Sequence, residues 1–256
     1  MALYRELSEP HWAKSDLLIW PEAAIPTYYQ YANHFLDQMH SKAIAHDAAL
    51  ITGIPTRPTY SDNAFNSIVS AGNASGIYHK QRLVPFGEYV PFAATIGNIM
   101  AFFELPMSTM SAGEKDQAPI SIHNWQSRPL ICYEVVYPNL AAQAAQLSDV
   151  LITISNDSWF GASIGPLQHL QMAQMRALEN GRYVLRGTGN GVSAIINHKG
   201  KVVSRSEQFK QQVVSGTFYI TRGKTPWTTM GYYLVPRLIA AALVLFAAAA
   251  LRNARN

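Results

Sequence analysis

Three residues of complementary chemistry stand where apolar runs give out. Glu22 follows the run LLIW and the strand-stopping Pro21; Lys80 lies in GIYHKQRL; Cys132 lies at the end of PLICYE. A thiol needs a base before it can act as a nucleophile, and Glu22 can serve as that base. A tetrahedral intermediate needs positive charge or hydrogen-bond donors at its oxyanion, and Lys80 can supply both. His79 should point to the opposite strand face from Lys80, because side chains alternate, which argues against a Cys–His arrangement built on it. Taken singly, each residue has a structural alternative: a solvated turn for Glu22, a solvent-facing charge for Lys80, a small buried apolar group for Cys132. Cys132 is the only cysteine in the chain, which excludes an intramolecular disulfide and a multi-thiolate metal site.

The elements that must position these groups alternate between strand and helix as far as about Gly187, then become mostly strands. Leu17–Trp20, Leu50–Ile54, Phe65–Ser70, Gly76–Leu83, Leu130–Tyr133 and Val150–Ser155 read as strands from their apolar, β-branched content. Tyr28–Ala48, with Phe35, Met39 and Ala43 on one face, Leu140–Leu147 and Leu167–Gly181 have helical spacing. Tyr183–Arg186, Val192–Asn197 and Lys201–Ser204 follow as strands, with His198-Lys199-Gly200 as a hairpin turn. Buried strands covered by helices predict a layered α/β or α+β body. Such sheets place reactive groups where strands run out into loops, so the three positions are expected to meet in space.

Composition and charge narrow the class further. Of the 256 residues 48% are hydrophobic and only 14% charged, which excludes a disordered chain and a charge-laced coiled coil. The formal net charge is +4, yet from Gln208 onward there are six basic residues and no acidic one. The basicity therefore belongs to a tail and the body is slightly acidic, which excludes a nucleic-acid binder carrying a basic stripe on its folded face. That tail holds the least polar stretch, Leu238–Leu251 (LIAAALVLFAAAAL), extended upstream by GYYLVP. From Gly231 to Leu251 it is long enough for a membrane span of about 20 residues. Tyr232 and Tyr233 would mark one interface and Arg252 and Arg255 the other, with Arg237 snorkelling upstream. The positive-inside rule places the C-terminus in the cytoplasm and the body across the membrane. The segment Ile99–Met110 (IMAFFELPMSTM) reads either as an apolar lid or, over Ile96–Phe103, as a core helix. Trp159-Phe160 beside Gly161 looks like a second apolar loop.

WPEAAIP around Glu22, the Lys80 segment and ICYE around Cys132 resemble, in order and wide spacing, the Glu-Lys-Cys triad of the nitrilase (carbon–nitrogen hydrolase) superfamily. HKQRLVPFGEYVPF, with Glu88 after Lys80, Cys-Tyr-Glu at 132–134 and NDSWFG at 156–161 resemble its apolipoprotein N-acyltransferase branch. The resemblance implies a four-layer αββα sandwich over residues 1–226, followed by a transmembrane helix and short basic cytoplasmic tail over 227–256. It implies a catalytic Cys132, Glu22 and Lys80, with Glu88 supporting Lys80, Tyr133 and Glu134 shaping the pocket, and Trp159 lining the lipid entry. The implied reaction moves a fatty acyl group from a phospholipid donor, through a Cys132 thioester, to the α-amine of a diacylglyceryl-apolipoprotein acceptor. No metal or organic cofactor is implied; the partners are the two lipid substrates and the bilayer, with no nucleic acid. The implied location is the bacterial inner membrane, with the catalytic body on the periplasmic side. Alternatives of other classes are a membrane-associated amidase with the same triad, and an inactive fragment or tethered binding module. The branch carries a membrane-helix bundle and a first strand ahead of the segment that here begins MALYRELSE. The chain is therefore expected to correspond to the C-terminal portion of such an enzyme and to show little or no transfer alone.

Overall fold

The computed structural model describes residues 1–59, 61, 63–89 and 110–253. Helix α1 (Ala2–Ser8) leads through a 3₁₀ turn (Glu9–Lys14) into β1 (Leu17–Ile19). Then come α2 (Asn33–Ala45), β2 (Ala49–Thr56), β3 (Phe65–Gly72), β4 (Ala74–Ser75) and β5 (Ile77–His79). From residue 110 onward β6 (Ile120–Ile122), β7 (Trp125–Ser127), β8 (Leu130–Ile131), α3 (Pro138–Gln146) and β9 (Leu151–Asn156) follow. The chain continues through α4 (Gly165–Asn180), β10 (Val184–Gly189), β11 (Ala194–Ile196), β12 (Val202–Arg205), α5 (Pro226–Met230) and α6 (Leu234–Asn253).

Two sheets form the body, one ordered β1-β2-β3-β5 and the other β12-β11-β10-β9-β8, with a small third sheet β4-β6-β7. Side-chain alternation explains how they stack. In β2, Leu50 and Ile54 join a core with Trp12, Trp20, Leu36 and Met39, while Ala49 and Ile51 face the other way. In the second sheet Ile152, Ile154, Leu185 and Ile195 meet Ile51, Ile68 and Tyr78 between the sheets. Leu151, Val184 and Ile196 turn outward onto Leu140, Ala144, Leu170 and Ala173 of α3 and α4. The order is helix, sheet, sheet, helix, the αββα arrangement the resemblance implies. Strands buried on both faces explain why β2 and β9 read as continuous apolar runs rather than alternating ones. Strand β1 lines a cavity of about 1280 Å³, together with Val213, Val214 and Phe218 among other residues.

Several element boundaries differ from the sequence reading. The strand through Lys80 stops at His79: the Lys80 amide still donates to the Asn66 carbonyl (2.8 Å), but the next two amides, of Gln81 and Arg82, donate to Glu134 Oε1 at 2.7 and 3.0 Å. The strand at Leu130 stops at Ile131, because Cys132 takes a left-handed φ of 54° and opens a 3₁₀ turn (Cys132–Val136). The Tyr28–Ala48 stretch divides into a 3₁₀ turn (Tyr29–Tyr31) and α2. Helix α4 ends where Gly181 adopts φ 60°, the left-handed cap expected of a glycine there. The tail forms α6, 20 residues with a mean hydropathy of 2.3 and no buried residue, long and apolar enough to cross a membrane. Arg237 sits over the Tyr233 ring at 5.9 Å, directed toward the start of that helix. Residues 99–109 of the segment read as a lid, its alternative core helix over Ile96–Phe103, and Arg255 lie outside the described residues.

Candidate active site

Glu22 sits just past β1, on the turn Pro21–Ala24. Gly53 of β2 makes that turn possible: a Cβ there would lie 2.6 Å from the Glu22 Cα, so only glycine admits the close backbone approach. The turn lifts Glu22 over the strand ends toward Lys80, which leaves β5, and toward Cys132, which leaves β8. Lys80 is only 1% exposed and Glu22 9%.

Two carboxylates hold the ammonium group. Lys80 Nζ lies 2.8 Å from Glu88 Oε1 and 3.5 Å from Glu22 Oε1. Asn66 Nδ2 donates to both carboxylates, at 2.7 Å to Glu22 Oε1 and 2.8 Å to Glu88 Oε1. The Asn156 amide donates to Glu22 Oε2 at 2.7 Å and the Val84 amide to Glu88 Oε2 at 2.8 Å. Burial works against a charge on Lys80, but the negative charges around it, Glu22 foremost and Glu88 with it, outweigh that, and its pKa stands above the ordinary lysine value. Lys80 is a fixed cation and not a proton acceptor.

The Cys132 thiol stands within the electrostatic reach of both Glu22 and Lys80. Burial pushes its pKa up and the Glu22 charge adds to that; Lys80 and a hydrogen bond from Ser155 oppose them, and it settles at about 12. The resting group is therefore a thiol, and a nucleophilic role requires that its proton leave as the new bond forms. A carboxylate beside the thiol and a cation beside both form the set that such an attack needs.

The other expected site residues occupy different places. Glu88 shares the cluster, on Lys80. Glu134 is fully buried behind the site: it accepts from the Tyr78 hydroxyl and from the amides of Gln81, Arg82 and Ile131. It thus ties the Lys80 exit to the Cys132 turn rather than lining open space. Tyr133 is part of the surface and stands edge-on to Tyr137, ring centroids 5.8 Å apart. Trp159, on the turn Asp157–Phe160, is 81% exposed. His79 turns away from the cluster, its Nδ1 2.7 Å from Ser67 Oγ. Sequence reasoning did not single out Asn66, whose polar side chain inside an apolar strand was the available signal, nor Asn156, which opens NDSWFG. Among the described residues, no group of three or more His, Cys, Asp or Glu side chains is arranged to hold a metal ion.

Comparison with known proteins extends this geometry. Residues 2–221 match the family described as carbon-nitrogen hydrolase. The chain is similar to the apolipoprotein N-acyltransferase of Azotobacter vinelandii, 48% identical over 234 residues, covering 89% of this chain and 45% of the relative. The apolipoprotein N-acyltransferase of Coxiella burnetii is 37% identical over 242 residues, covering 94% of this chain and 50% of the relative. The chain thus spans about half the length of these curated relatives. Among solved structures, a carbon-nitrogen hydrolase from Helicobacter pylori G27 superposes with a TM-score of 0.64 at 15% identity, covering 83% of this chain and 80% of that one. The C. elegans NitFhit protein gives a TM-score of 0.64 at 16% identity, covering 81% and 54%. These two share the fold.

Proposed function

Since the chain belongs to the carbon-nitrogen hydrolase family, we propose that it carries the catalytic body of a lipoprotein N-acyltransferase, with Cys132, Glu22 and Lys80 as its catalytic residues. The observation that carries this reading is the buried Lys80 cation, 3.5 Å from Glu22 and electrostatically coupled to the lone thiol, in a chain that ends in a fully exposed apolar helix.

In the first half-reaction Cys132 Sγ attacks the acyl carbonyl of a phospholipid while Glu22 takes the thiol proton. Lys80 balances the negative charge that develops on the carbonyl oxygen. Collapse breaks the ester bond, Glu22 returns the proton to the lysophospholipid oxygen, and an acyl thioester remains on Cys132. In the second half the α-amine of a diacylglyceryl-cysteine attacks the thioester, loses a proton to Glu22, and leaves as the amide. Cys132 then regains its proton. Glu88 supports this by holding Lys80, which keeps the ammonium from neutralising Glu22 outright. Helix α6 would anchor residues 1–226 to the bacterial inner membrane on its periplasmic side, bringing the site to its lipid substrates. Tyr133, beside Cys132, and the exposed Trp159 are the candidate lipid contacts.

The test is mass spectrometry of the detergent-solubilised chain after exposure to phospholipid, with and without a diacylglyceryl lipopeptide. The expected result is an acyl adduct on Cys132, lost in Cys132→Ala, with little of it passing to the lipopeptide as an amide from this chain alone. Release of free fatty acid regardless of acceptor would indicate a hydrolase instead. Absence of any adduct would indicate an inactive fragment.

A further inference from the structure

Behind the nucleophile lies a second buried polar cluster that the proposed reaction does not use. Ser155 and Asp157 stand at the end of β9, Arg186 lies within β10, and His169 projects from α4; all four are buried. Ser155 Oγ donates to Asp157 Oδ1 at 2.5 Å, and the same hydroxyl hydrogen-bonds the Cys132 thiol. Arg186 Nη2 donates to Asp157 Oδ2 at 2.8 Å. His169 Nδ1 lies 3.0 Å from Asp157 Oδ1, and His169 Nε2 lies 3.1 Å from the Cys132 carbonyl oxygen. That oxygen can only accept, so Nε2 carries the proton of this bond; with that single ring proton Nδ1 accepts from Arg186 Nη2 at 3.1 Å, and Arg186 links it to Asp157. Gly191 leaves the space for Asp157, since any Cβ there would run into the carboxylate.

A buried ion pair seldom adds stability over an apolar filling of similar volume. This one converges on a single residue instead. Cys132 holds a left-handed backbone conformation, in which the Cβ of any side chain crowds the following carbonyl oxygen, so it has to be held there. We propose that Asp157 is a positioning residue that grips Cys132 at two points, its sulfur through Ser155 and its carbonyl through His169.

The Ser155 hydroxyl has one proton, which gives the grip a sense. Opposite the thiol, the Ser155 hydroxyl donates to Asp157 and accepts from S–H. Opposite the thiolate, the hydroxyl turns its proton to sulfur, and Asp157 keeps Arg186 as its partner. The carboxylate holds its charge throughout: burial works against it, but His169 and Arg186 outweigh that and keep its pKa below the ordinary value.

The inference rests on Cys132 as the nucleophile, yet its test needs neither acyl donor nor acceptor. Iodoacetamide alkylation of the full chain in detergent, followed across a pH series, reads the lone thiol directly. Ser155→Ala is expected to move the alkylation midpoint upward and slow the neutral-pH rate about tenfold, the size of a lost hydrogen bond to a charged group. Ser155→Thr, which keeps the hydroxyl, should restore the wild-type profile. His169→Leu should slow alkylation, whereas His169→Gln, which keeps a donor near the Cys132 carbonyl, should not. Folding of each variant is checked by circular dichroism; if Ser155→Ala does not fold, the Leu and Gln variants of His169 decide. Superimposable profiles for wild type, folded Ser155→Ala and His169→Leu would overturn the inference. A clear Ser155 effect without any acyl adduct would count against the acyltransferase reading alone.

Discussion

Lys80 is held closer by Glu88, at 2.8 Å, than by Glu22, at 3.5 Å. The division matters because Glu22 must stay free to take a proton. With Glu88→Gln the ammonium loses its nearer counter-charge and is expected to close on Glu22 as a tight pair. The base is then blunted, and acyl-adduct formation on Cys132 should fall by about 10²-fold, within the range of general-base contributions. Adduct yield against time, read by mass spectrometry, checks this; unchanged kinetics would remove Glu88 from the site.

Glu22→Gln should separate two reactivities of one sulfur. Adduct formation from phospholipid needs the base and is expected to drop by about 10²–10⁴-fold. Iodoacetamide alkylation needs only thiolate, and the Glu22 charge is among the causes that raise the thiol pKa. Removing that charge should therefore speed alkylation near neutral pH. Opposite signs in the two assays are the expected outcome, and a parallel loss would show that Glu22 acts on the fold instead.

A layered body was legible because core strands carry two apolar faces and covering helices one, so Leu50–Ile54 and Val150–Ser155 read as buried strands, which the structure draws as Ala49–Thr56 and Leu151–Asn156. Glu22 was legible as a residue directly after an apolar run, whereas Lys80 reads as lying within a strand, and it is the resemblance of the surrounding motifs to the family that groups both with Cys132. What stayed hidden depends on distance along the chain. Glu134 collects amides from Gln81, Arg82 and Ile131, and this capture cuts short the strand that alternation would carry through Lys80. Asn66, on β3, bridges Glu22 and Glu88, which lie on either side of it in sequence. Local propensity has no access to either contact.

The raised thiol pKa carries a stability consequence with a definite sign. The unfolded chain loses the Cys132 proton near the ordinary value of 9.0, the folded chain only near about 12. Thiol burial therefore contributes fully below about pH 9, and the contribution is lost as pH rises from there toward 12, at about 1 kcal/mol per unit. Lys80, also raised, acts in the same direction at the upper end of that window. Urea midpoints at about pH 8 and about pH 10.5 should differ more for wild type than for Cys132→Ser, whose hydroxyl does not titrate there. Equal differences would mean that the thiol is not buried beside Glu22.

Glu134 offers the sharpest test of how the two strand exits are tied together. It is fully buried, and its oxygens accept only from donors: three amides and the Tyr78 hydroxyl. Glu134→Gln keeps the volume but replaces one acceptor oxygen with an NH₂ group facing N–H or O–H. At least one buried donor is then unpaired, a cost of about 1–3 kcal/mol for each group. Stability in urea should fall by that amount. Adduct formation should fall further than stability alone explains, because Gln81 and Ile131 adjoin Lys80 and Cys132. A variant that loses stability but retains the wild-type adduct rate when folded would show that the tie supports the sheet and not the alignment of the site.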